Sequence, residues 1–214
     1  MRLVLPRLYV ILDAALITFP ERDCALSLAE AGVRLLQYRN KSAPARQYLD
    51  SSRQLAELLD SLGVTFFVND RPDIAFLAGA NGVHVGQEDL DVEQARRIAG
   101  HDKLVGVSTH NIEQFERAAA SSADYVAVGP VFPTSSKANP DPVVGLDFLR
   151  KVRGLTEKPL VAIGGITLER AASAVEAGAD SVAVISGILN SADPGQRARE
   201  YNQALAGARR AATI

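Results

Sequence analysis

Short apolar runs rich in β-branched and aromatic residues recur along the chain, each followed by a longer stretch of helical spacing, and this alternation narrows the folds open to it. Eight such runs occur: Leu8–Asp13, Val33–Arg39, Val64–Asn69, Gly82–Val85, Leu104–Ser108, Tyr125–Gly129, Leu160–Gly164 and Ser181–Ser186. Helices are predicted between them at Ala43–Leu62, Val92–Ala99, Ile112–Ser121 and Leu168–Ala177. Strands separated by helices pair in parallel, because a parallel return needs a crossover of helical length. Eight units without a G-x-G-x-x-G fingerprint predict a closed (β/α)8 barrel, the TIM-barrel class, as one catalytic domain over residues 1–214 rather than an open doubly wound sheet.

A weak internal repeat supports that architecture. AEAGVRLLQ, LAGANGVHV, SSADYVAV and VEAGADSVAV each set a helix end, usually a Gly or small residue, just before a buried strand. Glycine there supplies a left-handed helix end, and Ala-Asp or Ala-Asn makes the short turn into the strand.

With 47% hydrophobic and 22% charged residues, the chain has material for one large core. Its formal charge of −2 gives no general attraction to nucleic acid, and the absence of Trp argues against base-stacking platforms. No apolar stretch approaches the ~20 residues needed to span a bilayer. Pro6 and Arg7 interrupt the apolar N-terminal run, so MRLVLPRLYVILDAAL reads as the first barrel strand rather than a leader. Cys24 is the single cysteine and falls in an apolar helical pattern, which implies a buried structural thiol, no disulfide and the cytoplasm as compartment. The sequence is compatible with a homo-oligomer.

In a barrel of this kind the chemistry sits at the C-terminal ends of the strands. Polar clusters crowd there: Gln37-Tyr38-Arg39-Asn40-Lys41, Asn69-Asp70-Arg71, Gly86-Gln87-Glu88-Asp89, Ser108-Thr109-His110, Thr134-Ser135-Ser136-Lys137, Gly164-Gly165-Ile166-Thr167 and Ile185-Ser186-Gly187. Arg39, Lys41 and Lys137 would be aimed into one mouth, where assembled cations imply a polyanion. The Pro-rich stretch Pro133–Gly145 is expected to be a mobile flap over it.

Asp70 and Asp89 follow neighbouring strands. Beside a polyanion, two carboxylates would repel the ligand unless a divalent cation lay between them, which suggests Mg²⁺; helix capping by either Asp is the competing reading. Gly164-Gly165 and Ile185-Ser186-Gly187 end the last two strands, where barrels build monophosphate sites from backbone N–H groups. His84 lies in a buried strand and reads as a packed or supporting group rather than a general base. No nucleophilic triad is apparent, and His84, His101 and His110 are too scattered for a three-histidine metal site.

LQYRNK, FFVNDRPDIAFLAGANGVHVGQEDL, GVSTHN, VGPVFPTSSK, VAIGGI and VISGIL occur in this order, and together they resemble the thiamine-phosphate synthase family from about Leu8 to Leu189. That resemblance implies a transferase of thiamine biosynthesis that takes two phosphorylated small molecules. It implies that Gln37, Tyr38, Arg39, Asn40, Lys41, Asn69, Ser108 and Lys137 bind a pyrimidine diphosphate, with Arg39, Lys41, Lys137 and Ser108 catalytic. It further implies that Asp70 and Asp89 bind Mg²⁺, and that Thr134, Ser135, Ser136, Gly165, Ile185 and Ser186 bind a thiazole phosphate. Two departures stand out: Ser136 where the family usually has Thr, and YVILDAAL where YLVTD is more usual. A thiazole tautomerase of the same fold and a non-catalytic phosphate-binding barrel are the alternatives. The tautomerase would not need Arg39, Lys41, Asp70, Asp89 and Lys137 together, and the non-catalytic barrel would bind thiazole phosphate yet form no product.

Overall fold

The computed structural model describes residues 4–134 and 141–209. The elements are β1 Leu8–Asp13, α1 Glu21–Glu30, β2 Leu35–Arg39, α2 Ala45–Ser61, β3 Thr65–Asn69, α3 Pro72–Ala78, β4 Gly82–Val85, α4 Val92–Ala99, β5 Leu104–Thr109, α5 Ile112–Ala120, β6 Tyr125–Val128, α6 Gly145–Arg153, β7 Leu160–Ile163, α7 Leu168–Glu176, β8 Ser181–Val184, α8 Ser186–Leu189 and α9 Pro194–Ala206. All eight strands pair in parallel in chain order, and β1 pairs with β8 to close the barrel. The predicted (β/α)8 architecture is therefore the observed one. Differences lie at the edges: the eighth run stops at Val184, and Ser186 opens the short α8 instead. Among the described residues, no helix is long and apolar enough to cross a membrane.

The internal repeat has a physical basis at the base of the barrel. Asn81 Oδ1 accepts the N–H of Phe66 at 2.7 Å, Asp124 Oδ2 that of Val105 at 2.8 Å, and Asp180 Oδ2 that of Leu160 at 2.9 Å. Each of these residues also donates its own N–H to the carbonyl of the same partner. One short polar side chain thus staples the start of each strand pair β3–β4, β5–β6 and β7–β8. The turns leading into them use Gly79 and Gly178 at φ 73° and 119°, a region glycine enters without steric cost.

Two apolar layers result. Outward-facing strand residues pack against the helices, while Tyr9, Ile11, Leu35, Phe67, Tyr125, Ala127, Val161 and Ala183 fill the barrel interior. Tyr9, Phe67 and Tyr125 meet with ring centroids 5.5–6.1 Å apart, two of the three contacts edge-on. Room for them comes from glycine on the adjoining strand. Gly82 pairs with Phe67 and Gly106 with Tyr125; a Cβ on Gly106 would stand 2.0 Å from the Tyr125 ring.

Every tyrosine of the chain, Tyr9, Tyr38, Tyr48, Tyr125 and Tyr201, is buried, and burial is the first cause that raises each phenol above its ordinary 10.0, with Tyr38 and Tyr201 pushed up to about 12. The folded chain therefore keeps protons that the unfolded chain releases. Its stability is fully present below pH 10 and falls as pH rises above it. Phenolate absorbance should accordingly appear together with the loss of circular dichroism on alkaline titration. Ionisation of several tyrosines in a chain still folded would contradict the burial described.

Candidate functional site

The C-terminal ends of the strands surround a cavity of about 760 Å³. Gln37, Arg39, Lys41, Asn69, Asp70, Asp89, Ser108, Thr134, Gly165, Ile185 and Ser186 line it, as the strand-end reading expected. Ser135, Ser136 and Lys137 lie outside the described residues, as does the middle of the expected flap. Pro133, Thr134 and Asp141, on either side of that gap, line the cavity.

Tyr38 and Asn40 do not line the cavity. Side chains alternate along a strand, so with Gln37 and Arg39 facing inward Tyr38 points out. Its hydroxyl donates to Glu21, and its ring packs on Tyr48 at 5.2 Å. Asn40 donates to the Tyr38 hydroxyl at 3.0 Å and accepts the Ala43 N–H, so it shapes the β2–α2 turn. Tyr48, from α2, reaches the carbonyls of Tyr38 and Asn69, both at 3.0 Å. It thereby ties together the two strand ends that carry the charged residues.

Those charges are not assembled cations awaiting an anion. Arg39 is paired with the buried Asp13 of β1, which also accepts the Ala15 N–H at 3.0 Å. Lys41 Nζ lies 3.1 Å from Asp70 Oδ2. Asp13 escaped the sequence reading because it stands 26 residues from Arg39 in a run taken for the departing part of the family pattern.

The two metal-ligand candidates are neighbours in space. Asp70 has φ 64°, a left-handed backbone rare outside glycine, and its N–H donates to the His84 carbonyl at 2.8 Å. Such strain is held by its surroundings and is common where side chains must be aimed. The capping alternative fails for both: α3 begins after Arg71 with no side-chain cap, and α4 is capped by Asp91. Asp89 accepts the Gly86 N–H at 2.7 Å. Burial raises its carboxyl, and a hydrogen bond from its carboxyl to Asp70 raises it further, against the lowering effects of Gly86 and Lys41. Two adjacent carboxyl groups are a donor set into which a divalent cation fits. Among the described residues no group of three or more His, Cys, Asp or Glu is placed to hold a metal.

Across the mouth the wall is backbone. Gly164 and Gly165 have φ 92° and 64°, and a Cβ on Gly165 would lie 2.4 Å from the Pro133 carbonyl. Arg170 of α7 stacks over Phe132 at 5.1 Å and bonds the Gly165 carbonyl at 3.2 Å. It was missed because a helical Arg carries no strand-end signal. His110 bonds the Gly129 carbonyl at 2.6 Å and faces Asp141 at 3.4 Å.

A closed barrel with a carboxylate pair, paired cations and a glycine wall at one mouth defines a (β/α)8 enzyme built to hold phosphorylated small molecules. A family model described as thiamine monophosphate synthase matches residues 8–188. A thiamine-phosphate synthase of Koribacter versatilis is 54% identical over 209 residues, spanning 95% of this chain and 97% of that protein. One from Chloroflexus aurantiacus is 42% identical, spanning 91% and 90%. The solved thiamine phosphate pyrophosphorylase of Pyrococcus furiosus is 34% identical, with a TM-score of 0.85 over 94% of this chain and 95% of that one. The chain belongs to the thiamine monophosphate synthase family.

Removing Asp13 would strand a largely buried guanidinium. Asp13→Ala is expected to lower unfolding free energy by roughly 1.5–3 kcal/mol, the worth of a hydrogen bond to a charged group. Urea denaturation measures it, and an unshifted midpoint would mean that Arg39 is solvated without its partner.

Proposed function

We propose that this transferase condenses 4-amino-2-methyl-5-(diphosphooxymethyl)pyrimidine with 4-methyl-5-(2-phosphooxyethyl)thiazole, giving thiamine phosphate and diphosphate. The observation that carries the reading is the division of one mouth into two unlike halves. Charged side chains on β1 to β4 suit a diphosphate, and the glycine-lined ends of β7 and β8 suit a monophosphate.

The reaction breaks the bond between the pyrimidine's methylene carbon and the diphosphate oxygen, which leaves with the electron pair. The electron-rich aminopyrimidine stabilises the resulting carbocation. The thiazole nitrogen then donates its lone pair to that carbon, so no side-chain base is consumed, in keeping with the missing triad. Arg39, Lys41 and Lys137 hold the diphosphate and stabilise its growing charge, with Ser108 and Asn69 as further donors. Gln37 orients the pyrimidine, while Thr134, Ser135, Ser136, Gly165, Ile185 and Ser186 hold the thiazole phosphate so that its nitrogen faces the carbon. Asp70 and Asp89 would hold Mg²⁺, which supplies positive charge to the leaving group. Both partners are small molecules, and the compartment is the cytoplasm.

The test is direct. Incubation with both substrates and Mg²⁺ should yield thiamine phosphate and diphosphate, and EDTA should stop it. No product at saturation would reject the synthase in favour of a barrel that only binds. Lys137→Ala is expected to lower kcat by roughly 10²–10³, the usual cost of one preorganised donor to developing charge. Steady-state turnover near wild type would remove Lys137 from the mechanism.

A further inference from the structure

Beneath the mouth, side chains from five strands form one unbroken path of hydrogen bonds through the barrel interior. Gln37 Nε2 donates to the Tyr9 hydroxyl at 2.8 Å, and the Tyr9 and Tyr125 hydroxyls lie 3.0 Å apart. Tyr125 is 2.8 Å from His84 Nδ1, and His84 Nε2 is 2.8 Å from Ser108 Oγ. The His84 ring also stacks on Tyr125 at 5.5 Å. Gln37 and Ser108, the two ends, line the cavity; Tyr9 and Tyr125, in the middle, do not.

A hydroxyl owns one hydrogen and a neutral imidazole one N–H, so the direction of the first bond sets all the others. Tyr9 accepts from Gln37, and its own hydrogen then goes to Tyr125. Were Tyr125 instead to donate to Tyr9, the Tyr9 hydrogen would have no acceptor along this path, in an interior where polar groups are paired. Along this path Tyr125 then donates to Nδ1, and the His84 proton resides on Nε2. Ser108 accepts it and turns its own hydrogen away from His84, towards the mouth. Burial raises both phenols, so the two hydroxyls keep the hydrogens this ordering needs.

We propose that this path is a polarised relay that locks His84 in its Nε2–H tautomer and presents Ser108 to the substrate as a donor, making Tyr9, Tyr125 and His84 positioning residues for the transfer. The role, though not the polarity, rests on the function proposed above. The chemistry at both ends agrees with the direction. A departing diphosphate oxygen needs donors, which Ser108 then supplies. Gln37, having spent its amide N–H on Tyr9, keeps its oxygen for the mouth, an acceptor suited to the pyrimidine's amino group. The opposite polarity would turn the Gln37 oxygen to Tyr9, put the proton on Nδ1 and make Ser108 donate inward.

The two polarities differ in one observable. In protein carrying ¹⁵N-labelled histidine, without substrate and at mildly alkaline pH, long-range proton–nitrogen correlations read the tautomer of each ring; His101→Gln and His110→Gln variants assign the His84 signals. The Nε2–H pattern is expected, and the Nδ1–H pattern or an even mixture would overturn the relay. Tyr125→Phe keeps the ring and deletes the middle link. It should erase the tautomer preference and lower kcat roughly 10-fold, less than the loss of a direct donor, with KM for both substrates within about 2-fold of wild type. A wild-type kcat in that variant would overturn the positioning role, since a purely packing residue would leave both tautomer and kcat unmoved. Should Tyr125→Phe fail to fold, the wild-type tautomer still decides the polarity. Because that spectrum needs no substrate, a protein that forms no thiamine phosphate would overturn the function while the polarity is judged separately.

Discussion

An eight-stranded barrel leaves an interior that side chains must fill, and here three aromatic rings meet within it. Tyr9, Phe67 and Tyr125 fit only because two neighbouring positions, Gly82 and Gly106, carry no side chain. Two of the rings bring hydroxyls into a space closed to water, where each must find a partner or destabilise the fold. The polar path from Gln37 to Ser108 meets that demand. The same atoms that plug the barrel thus support the floor of the site, and core packing cannot be altered there without reaching the mouth.

The mouth is built on two different principles. Its side at β1 to β3 consists of side chains already balanced against one another, Arg39 with Asp13 and Lys41 with Asp70. A ligand there competes with existing ion pairs, so its charge is exchanged for carboxylate charge rather than added to bare cations. The side at β7 depends on main-chain conformation at Gly164 and Gly165 and on the absence of side chains there.

The fold was legible because its signals are local. Strand runs and helical period are read within a dozen residues, and the Gly-Ala-Asp type of turn repeats where even-numbered strands begin. Much of the site was legible for a related reason: in a parallel barrel every strand end reaches the same mouth, so Asp70 and Asp89 could be paired without knowing any distance. Tyr38 points away from the mouth, as the pleat alternation already applied to Gln37 and Arg39 requires. Asp13, Arg170 and the Tyr9–Tyr125–His84 contacts carry no such signal. They join residues far apart in sequence, or project from a helix, and only closure of the barrel brings them together.

The side-chain staples at the base span short distances along the chain, 15, 19 and 20 residues. The contact between Tyr9 and Tyr125 spans 116. Short loops cost less entropy to close than long ones. A chain can therefore hold each of its stapled strand pairs, and nearly all its secondary structure, while the first strand has yet to meet the sixth. In that state the polar path has no middle and Ser108 no fixed orientation. Competence for chemistry therefore needs a closure that joins residues 116 apart, beyond the reach of any one staple.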